Sequence, residues 1–333
     1  MKSAAMYGWA WLQPERNSDG AFVIPKEEMT AFRHRSLRRA DPLSRMVCSA
    51  ASKAATEAGW VDAGAGSPER VHHYLATELG PTEDTRRYLA KVRDHGAHLA
   101  DPAVFPNLVV SAPLGYASLA FGWTGTSCTF AQHGVGVAQA VDRALRDLHF
   151  GRADAVMVSG AEEWSIARAQ TEQMLSVAGQ SRRGHPPRVA PGMGAGAFVL
   201  GPLSHGTPGI RIYAPLFTRQ PDVAATRFRC SPTVLGTLWK ELVTEHGFQA
   251  AMVDRWVPAH AWSAEMGELE CAQMVFPSAE IVDLDSTMGQ WPSRTVVAIA
   301  KAAELVRCGD AKLVLVSLLG RGGEAAALLI GDA

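Results

Sequence analysis

The stretch Gly134 to Gly160, GVGVAQAVDRALRDLHFGRADAVMVSG, has a counterpart in Pro292 to Leu318, PSRTVVAIAKAAELVRCGDAKLVLVSL, and the comparison of the two decides the fold. One ungapped offset places Gly151 on Gly309 and Ser159 on Ser317. In the first copy Val137, Val141, Ala144, Leu145 and Leu148 recur at helical spacing. Gly151 then stops the helix before the apolar run Ala155 to Val158. The second copy repeats the order with Val296, Val297, Ala300 and Leu305, then Gly309, then Leu313 to Val316. Most flanking positions are Ala and Val, so both predicted helices are buried on more than one face. Two halves of this kind predict a layered α/β protein with a pseudo-duplicated core. Turn residues concentrate in GPLSHGTPG, residues 201–209, which places the halves at 1–205 and 206–333. Further loops are predicted at 61–69 and at SRRGHPPR, residues 181–188.

The rest of the composition narrows the function class. The chain has 333 residues, 47% hydrophobic and 20% charged, enough for a large core. Thirty-two basic residues against thirty-three acidic ones give no electrostatic footprint for nucleic acid or an anionic membrane. No apolar run reaches the ~18 residues of a membrane span, and no secretory signal pattern opens the chain. Five cysteines, Cys48, Cys128, Cys230, Cys271 and Cys308, are scattered without metal-ligand spacing, as in a reduced cytoplasmic protein. Neither a metal nor a cofactor is expected. PGMGAG, near Gly194, lacks the Lys-Ser/Thr of a phosphate loop and reads as the approach to a strand.

Four stretches carry a family resemblance: FRHRSLRRADPLSRMVCSAASKAATEAGW (32–60), FPNLVVSAPLGYASLAFGWTGTSCTF (105–130), GRADAVMVSGAEE (151–163) and PGMGAGAFVLGP. Together they resemble the β-ketoacyl synthases. The resemblance implies the thiolase fold, five layers in the order αβαβα built from two pseudo-duplicated halves, which agrees with the internal repeat. The chain is short for a condensing enzyme of this family.

Decarboxylative condensation needs a thiolate to carry the acyl chain and two histidines to stabilise the developing enolate and oxyanion. By resemblance the cysteine belongs at the N-terminus of the first buried helix, where the helix dipole lowers its pKa. Counting back without gaps from GRADAVMVSGAEE, that position is Gly134; a gap of one or two residues would make it His133 or Gln132. None is a cysteine. Gln132 matters because chain-length factors of type II polyketide synthases, and loading ketosynthases that only decarboxylate, carry glutamine in place of the cysteine. His260, in VPAHAWSAEMGE, matches the first histidine motif, although Ala261 and Trp262 replace the small residues expected after it. In STMGQWPS the second histidine reads Gln290, and the upstream lysine reads Asp285. Cys128, six residues before Gly134, falls in a segment predicted to be a buried strand, where a thiol is inert.

What the resemblance implies is a non-condensing, chain-length-factor-like subunit that pairs with an active ketosynthase in type II polyketide or polyene biosynthesis. Such a subunit walls the acyl tunnel of its partner, and its chemistry is volume exclusion. The segment Val104 to Tyr116 then reaches toward the partner, with Val104, Phe105, Val109, Ala112 and Tyr116 as tunnel candidates and Leu79 on the opposite edge. Acyl carrier protein is expected to dock mainly on the partner. The cluster Arg33, Arg35, Arg38 and Arg39 reads first as a solvated helix approach. The alternative is a divergent malonyl decarboxylase or acyltransferase using His260 with Gln132, His133 or Cys128.

Overall fold

The computed structural model describes residues 3–60, 68–170, 174, 191–203, 209–220, 230–259, 268–320 and 322–332. His260 and the predicted loop 181–188 lie outside the described residues, as do most of 61–69 and 201–209.

The strands are β1 (Ser3–Trp11), β2 (Glu15–Arg16), β3 (Phe22–Val23), β4 (Val71–Ala76), β5 (Ser127–Phe130), β6 (Ala155–Glu162) and β7 (Gly194–Gly201), followed by β8 (Ile210–Tyr213), β9 (Leu216–Arg219), β10 (Arg255–Pro258), β11 (Glu280–Ile281), β12 (Leu313–Leu319) and β13 (Glu324–Asp332). The helices are α1 (Lys26–Met29), α2 (Pro42–Glu57), α3 (Thr82–His95), α4 (Ala112–Phe121), α5 (Gly136–His149), α6 (Pro232–Glu245), α7 (Glu268–Val275), α8 (Asp285–Met288) and α9 (Thr295–Arg307). The repeat identified in the sequence is α5–β6 and α9–β12. Both helices end before a glycine of positive φ, 62° at Gly151 and 78° at Gly309, the left-handed stop that only glycine adopts without penalty.

The duplication extends to the pairing. One side of the sheet runs β5-β4-β6-β7-β1 and the other β11-β10-β12-β13-β8. In each, the first three strands are parallel and the last three antiparallel. The two sides join where β1 pairs antiparallel with β8.

Three hydrophobic clusters define the layers. The central one takes Val137, Val141 and Leu145 of α5 and Val296, Ile299 and Ala303 of α9, together with Val156, Val158, Val314 and Val316 from the inner faces of both sheet sides. The opposite face of β6, at Met157 and Ala161, packs under α2 and α4. The opposite face of β12, at Leu313, Leu315 and Leu319, packs under α6 and α7. Helix, sheet, helix pair, sheet, helix is the five-layer αβαβα order, and strands covered on both faces read as unbroken apolar runs. The N-termini of α5 and α9 meet in the middle of the molecule.

Candidate functional site

The site is a junction between two turns from opposite halves. β5 ends at Phe130 and α5 begins at Gly136. In the turn between them Gly134 has φ +71°, and a Cβ on it would overlap the carbonyl oxygen of Leu319 and stand 2.8 Å from its carbonyl carbon. The contact is reciprocal, since a Cβ on Gly320 would lie 3.1 Å from the His133 carbonyl oxygen. Thr295 closes the junction by donating its hydroxyl to the Gly134 carbonyl at 3.2 Å. The position expected for a nucleophile therefore has neither a side chain nor space for one. Of the two neighbours, Gln132 accepts a hydrogen bond at Oε1 from the Gln139 side chain, one turn along α5. His133 is buried, with Nε2 3.4 Å from Glu78 Oε2.

The first residues of α9 and its approach bind the surrounding segments together. Arg294 is 1% exposed. Its Nη1 donates to Asp285 Oδ1 at 2.6 Å and to the Gly289 carbonyl at 2.8 Å, and its Nε donates to the Ala259 carbonyl at 3.0 Å. One guanidinium thus links the residue before His260 with the position read as lysine and with Gly289, the residue before Gln290. Burial pulls its pKa down, and the Asp285 charge opposes that shift. The Gln290 carbonyl accepts from the Gly192 N–H at 2.9 Å and from Arg168 Nη2 at 3.0 Å. Arg168 is itself buried, and it also donates to the Gly192 carbonyl at 2.7 Å. Neither arginine stood out in the sequence. The available signal was an arginine embedded in the apolar run WPSRTVVAIA, a setting that demands acceptors.

Glutamates supply the remaining buried charge. Glu162, at the end of β6, accepts from Ser293 Oγ at 3.1 Å and from the backbone N–H groups of Glu78 and Leu79. Glu163 accepts from the Glu83 N–H at 2.6 Å and from Thr82 Oγ1 at 3.1 Å. Desolvation pushes both carboxyls up to about 7, against the pull of these donors. In the other half Glu268 is buried beneath β12, accepts from Ser317 Oγ, and is likewise pushed to about 7 by desolvation. Among the described residues no group of three or more His, Cys, Asp or Glu is arranged to hold a metal ion. No helix among them is long and apolar enough to cross a membrane.

Residues 19–205 match the family model described as "Beta-ketoacyl synthase, N-terminal domain". The chain belongs to the β-ketoacyl synthase family. It is 22% identical over 255 residues to a putative mitochondrial 3-oxoacyl-[acyl-carrier-protein] synthase of Schizosaccharomyces pombe, covering 70% of this chain and 58% of that protein's length. A β-ketoacyl synthase from Burkholderia phymatum STM815 superposes with TM-score 0.83 at 15% identity, and 100% of each chain is covered. The ishigamide ketosynthase/chain length factor superposes with TM-score 0.79 at 16% identity, covering 100% of this chain and 99% of the other. The type II polyketide complex AntDE:AntF, an acyl carrier protein with its ketosynthase bound to the hexaketide, gives 0.78 at 15%, with 100% of each chain covered. At these identities the solved structures establish the thiolase fold.

Within this ketosynthase-family fold the tunnel candidates fall on one contiguous region. Ala112 is buried at the start of α4, and Leu79, Val104 and Tyr116 are half-buried. Tyr116 donates its hydroxyl to Asn107 Oδ1 at 2.7 Å and, less closely, to the Arg39 carbonyl, so its ring edge is fixed. Phe105 and Val109 stand 61% and 49% exposed, with Val110 and Leu119 also uncovered beside them. The sequence reading of Cys128 needs correction. Its segment is a strand, but the thiol is exposed, because β5 lies at the edge of the sheet and Ser127 and Cys128 are uncovered on it. Alternation of residue types does not tell an edge strand from a central one.

Proposed function

We propose that this chain is a non-condensing, chain-length-factor-like subunit that pairs with an active ketosynthase and shapes the partner's acyl tunnel in type II polyketide or polyene biosynthesis. One observation supports the reading: Gly134, the residue an ungapped count assigns to the thiolate position, has a left-handed conformation with the Leu319 carbonyl where a Cβ would go. A covalent acyl-enzyme requires a nucleophile at that position, and neither Gly134 nor the gapped alternatives His133 and Gln132 is a cysteine. Arg294 paired with Asp285 fills the neighbouring region with charge that is already compensated. Gln132, the residue on which a decarboxylating role would lean, has its carboxamide oxygen engaged by Gln139.

The exposed surface supports the partnership. An edge strand offers unpaired backbone groups, and beside it Phe105, Val109, Val110 and Leu119 leave apolar area in water that a second subunit would cover. Acyl carrier protein is reached mainly through the partner. Arg33, Arg38 and Arg45 line a surface pocket of about 270 Å³ that offers an acidic carrier a secondary contact.

Co-expression with a cysteine-containing ketosynthase encoded nearby is expected to yield a heterodimer in which Ala112→Trp shortens the products. Ala112 is buried at the start of α4, so an added indole must displace its surroundings, and on this reading it projects into tunnel space. A stable homodimer that condenses malonyl and acyl thioesters by itself would overturn the proposal. Unchanged product length in an intact Ala112→Trp heterodimer would remove this wall from the tunnel.

A further inference from the structure

The segment Glu78–Glu83, the connection from β4 together with the first two residues of α3, touches both regions that matter for the reading above. Gly80, at φ +64°, lies so close to Val110 that a Cβ on it would stand 2.8 Å from Val110 Cγ1. Glu78 reaches back toward His133, beside the glycine junction. Two adjacent carboxylates grip this segment from the end of β6. Glu162 accepts the N–H groups of Glu78 and Leu79 at its beginning, and Glu163 accepts the N–H of Glu83 and the hydroxyl of Thr82 at its end. Only Gly80 and Pro81 lie between the two grips, and Leu79, held by its own N–H at the first, is the sole large apolar side chain from Glu78 to Glu83.

Two neighbouring buried acids are a poor choice for packing alone. Apolar residues of similar volume would fill the space without the desolvation cost. What carboxylates add is direction: fixed acceptors aimed at backbone N–H groups of a connection outside the sheet and of the first turn of α3, whose N–H groups have no partner within the helix.

We propose that Glu162 and Glu163 are positioning residues for chain length, holding the segment Glu78–Glu83 so that Leu79 and the Val110 contact stand at a fixed place in the tunnel wall. The inference rests on the tunnel-shaping reading and deepens it. A wall held at both ends stops elongation sharply, whereas a released wall yields to a growing chain. The side chains act through backbone placement and touch no substrate.

The test uses the heterodimer. Glu162→Gln puts an amide NH₂ opposite one of the N–H donors, and Glu163→Ala removes the second grip; each is expected to broaden the product distribution toward longer chains by one extension unit. Glu163→Gln, whose amide oxygen still accepts the Glu83 N–H, is expected to restore the parental distribution relative to Glu163→Ala. A structural defect alone would lower yield without changing the ratio of lengths. Where a variant fails to assemble, hydrogen exchange on the parental heterodimer decides, with the amides of Glu78, Leu79 and Glu83 expected to be protected several-fold above those of the exposed C-terminal turn of α3. An unchanged length distribution in assembled Glu162→Gln and Glu163→Ala, or unprotected amides in the parent, would overturn the inference. If Ala112→Trp still shortens products in that case, the tunnel-shaping reading stands without it; if Ala112→Trp also has no effect, that reading fails first.

Discussion

Replacing Gly134 by alanine or cysteine is expected to unsettle the protein rather than restore a nucleophile, and the structure separates two costs. The first is conformational: a side chain at φ +71° meets the left-handed penalty of about 1–2 kcal/mol. Gly309 isolates that cost, because its φ is +78° and a Cβ there would meet nothing within 4 Å. The second is steric: at Gly134 the new Cβ overlaps the Leu319 carbonyl, and the turn at Leu319–Gly320 must move off its packing on His133, an overpacking cost of about 1–3 kcal/mol. Gly309→Ala should therefore lose roughly 1–2 kcal/mol and Gly134→Ala roughly 2–5 kcal/mol. Urea unfolding followed by the fluorescence of the nine tryptophans measures both, and treatment with an acyl thioester followed by intact-mass analysis shows whether Gly134→Cys, with or without Gln290→His, becomes acylated. Equal losses at the two glycines, or stoichiometric acylation of Gly134→Cys, would refute the claim that backbone closes this position.

Two further outcomes follow from the buried charges. Glu268 has its pKa raised from 4.5 to about 7, so between those values the folded state keeps a proton that the unfolded state has released. Stability therefore falls as pH rises through that window, by about 3 kcal/mol for a shift of this size. Glu268→Gln, neutral throughout, should match the parent near pH 4.5 and exceed it above pH 7; denaturation midpoints at the two ends check this, and a gap independent of pH would contradict it. Asp285→Ala leaves the Arg294 guanidinium buried with only the Gly289 and Ala259 carbonyls as neutral acceptors. Breaking a fully buried pair costs about 3–5 kcal/mol. The Asp285 side chain is 34% exposed, and screening lowers the expected loss to about 2 kcal/mol. Asp285→Lys should be worse, and Asp285→Ala with Arg294→Met should recover most of the loss in a double-mutant cycle.

The fold was legible because its defining helices are buried on more than one face. Small and branched apolar residues on more than one face of α5 and α9, each helix followed by a glycine and an apolar strand, leave few arrangements other than a helix pair between two sheets. The ungapped offset that matched Gly151 with Gly309 also carries β6 onto β12, while the other strands of the two sheet sides correspond in order and direction at different spacings. The site was legible only as substitutions. Gly134, Asp285 and Gln290 could be named from their spacing, but what each does depends on contacts between the halves. That the Leu319 carbonyl lies over Gly134, that Thr295 ties down its carbonyl, and that Arg294 spans three segments are tertiary facts without local periodicity. Cys128 was misjudged for a related reason, since exposure of β5 depends on there being no strand beyond it.

The replacements also depend on one another. Ser293, Arg294 and Thr295 are consecutive, and their side chains run to Glu162, to Asp285 and to the Gly134 carbonyl. A helix start that binds three separate segments by hydrogen bonds holds those segments in a fixed relation to one another. What such a junction does supply is rigidity between the two halves, with α5 and α9 fixed end to end against both sheets. The proposed tunnel-shaping role requires a wall held in place, and the tied junction together with the exposed apolar side chains of Phe105 and Leu119 is consistent with it.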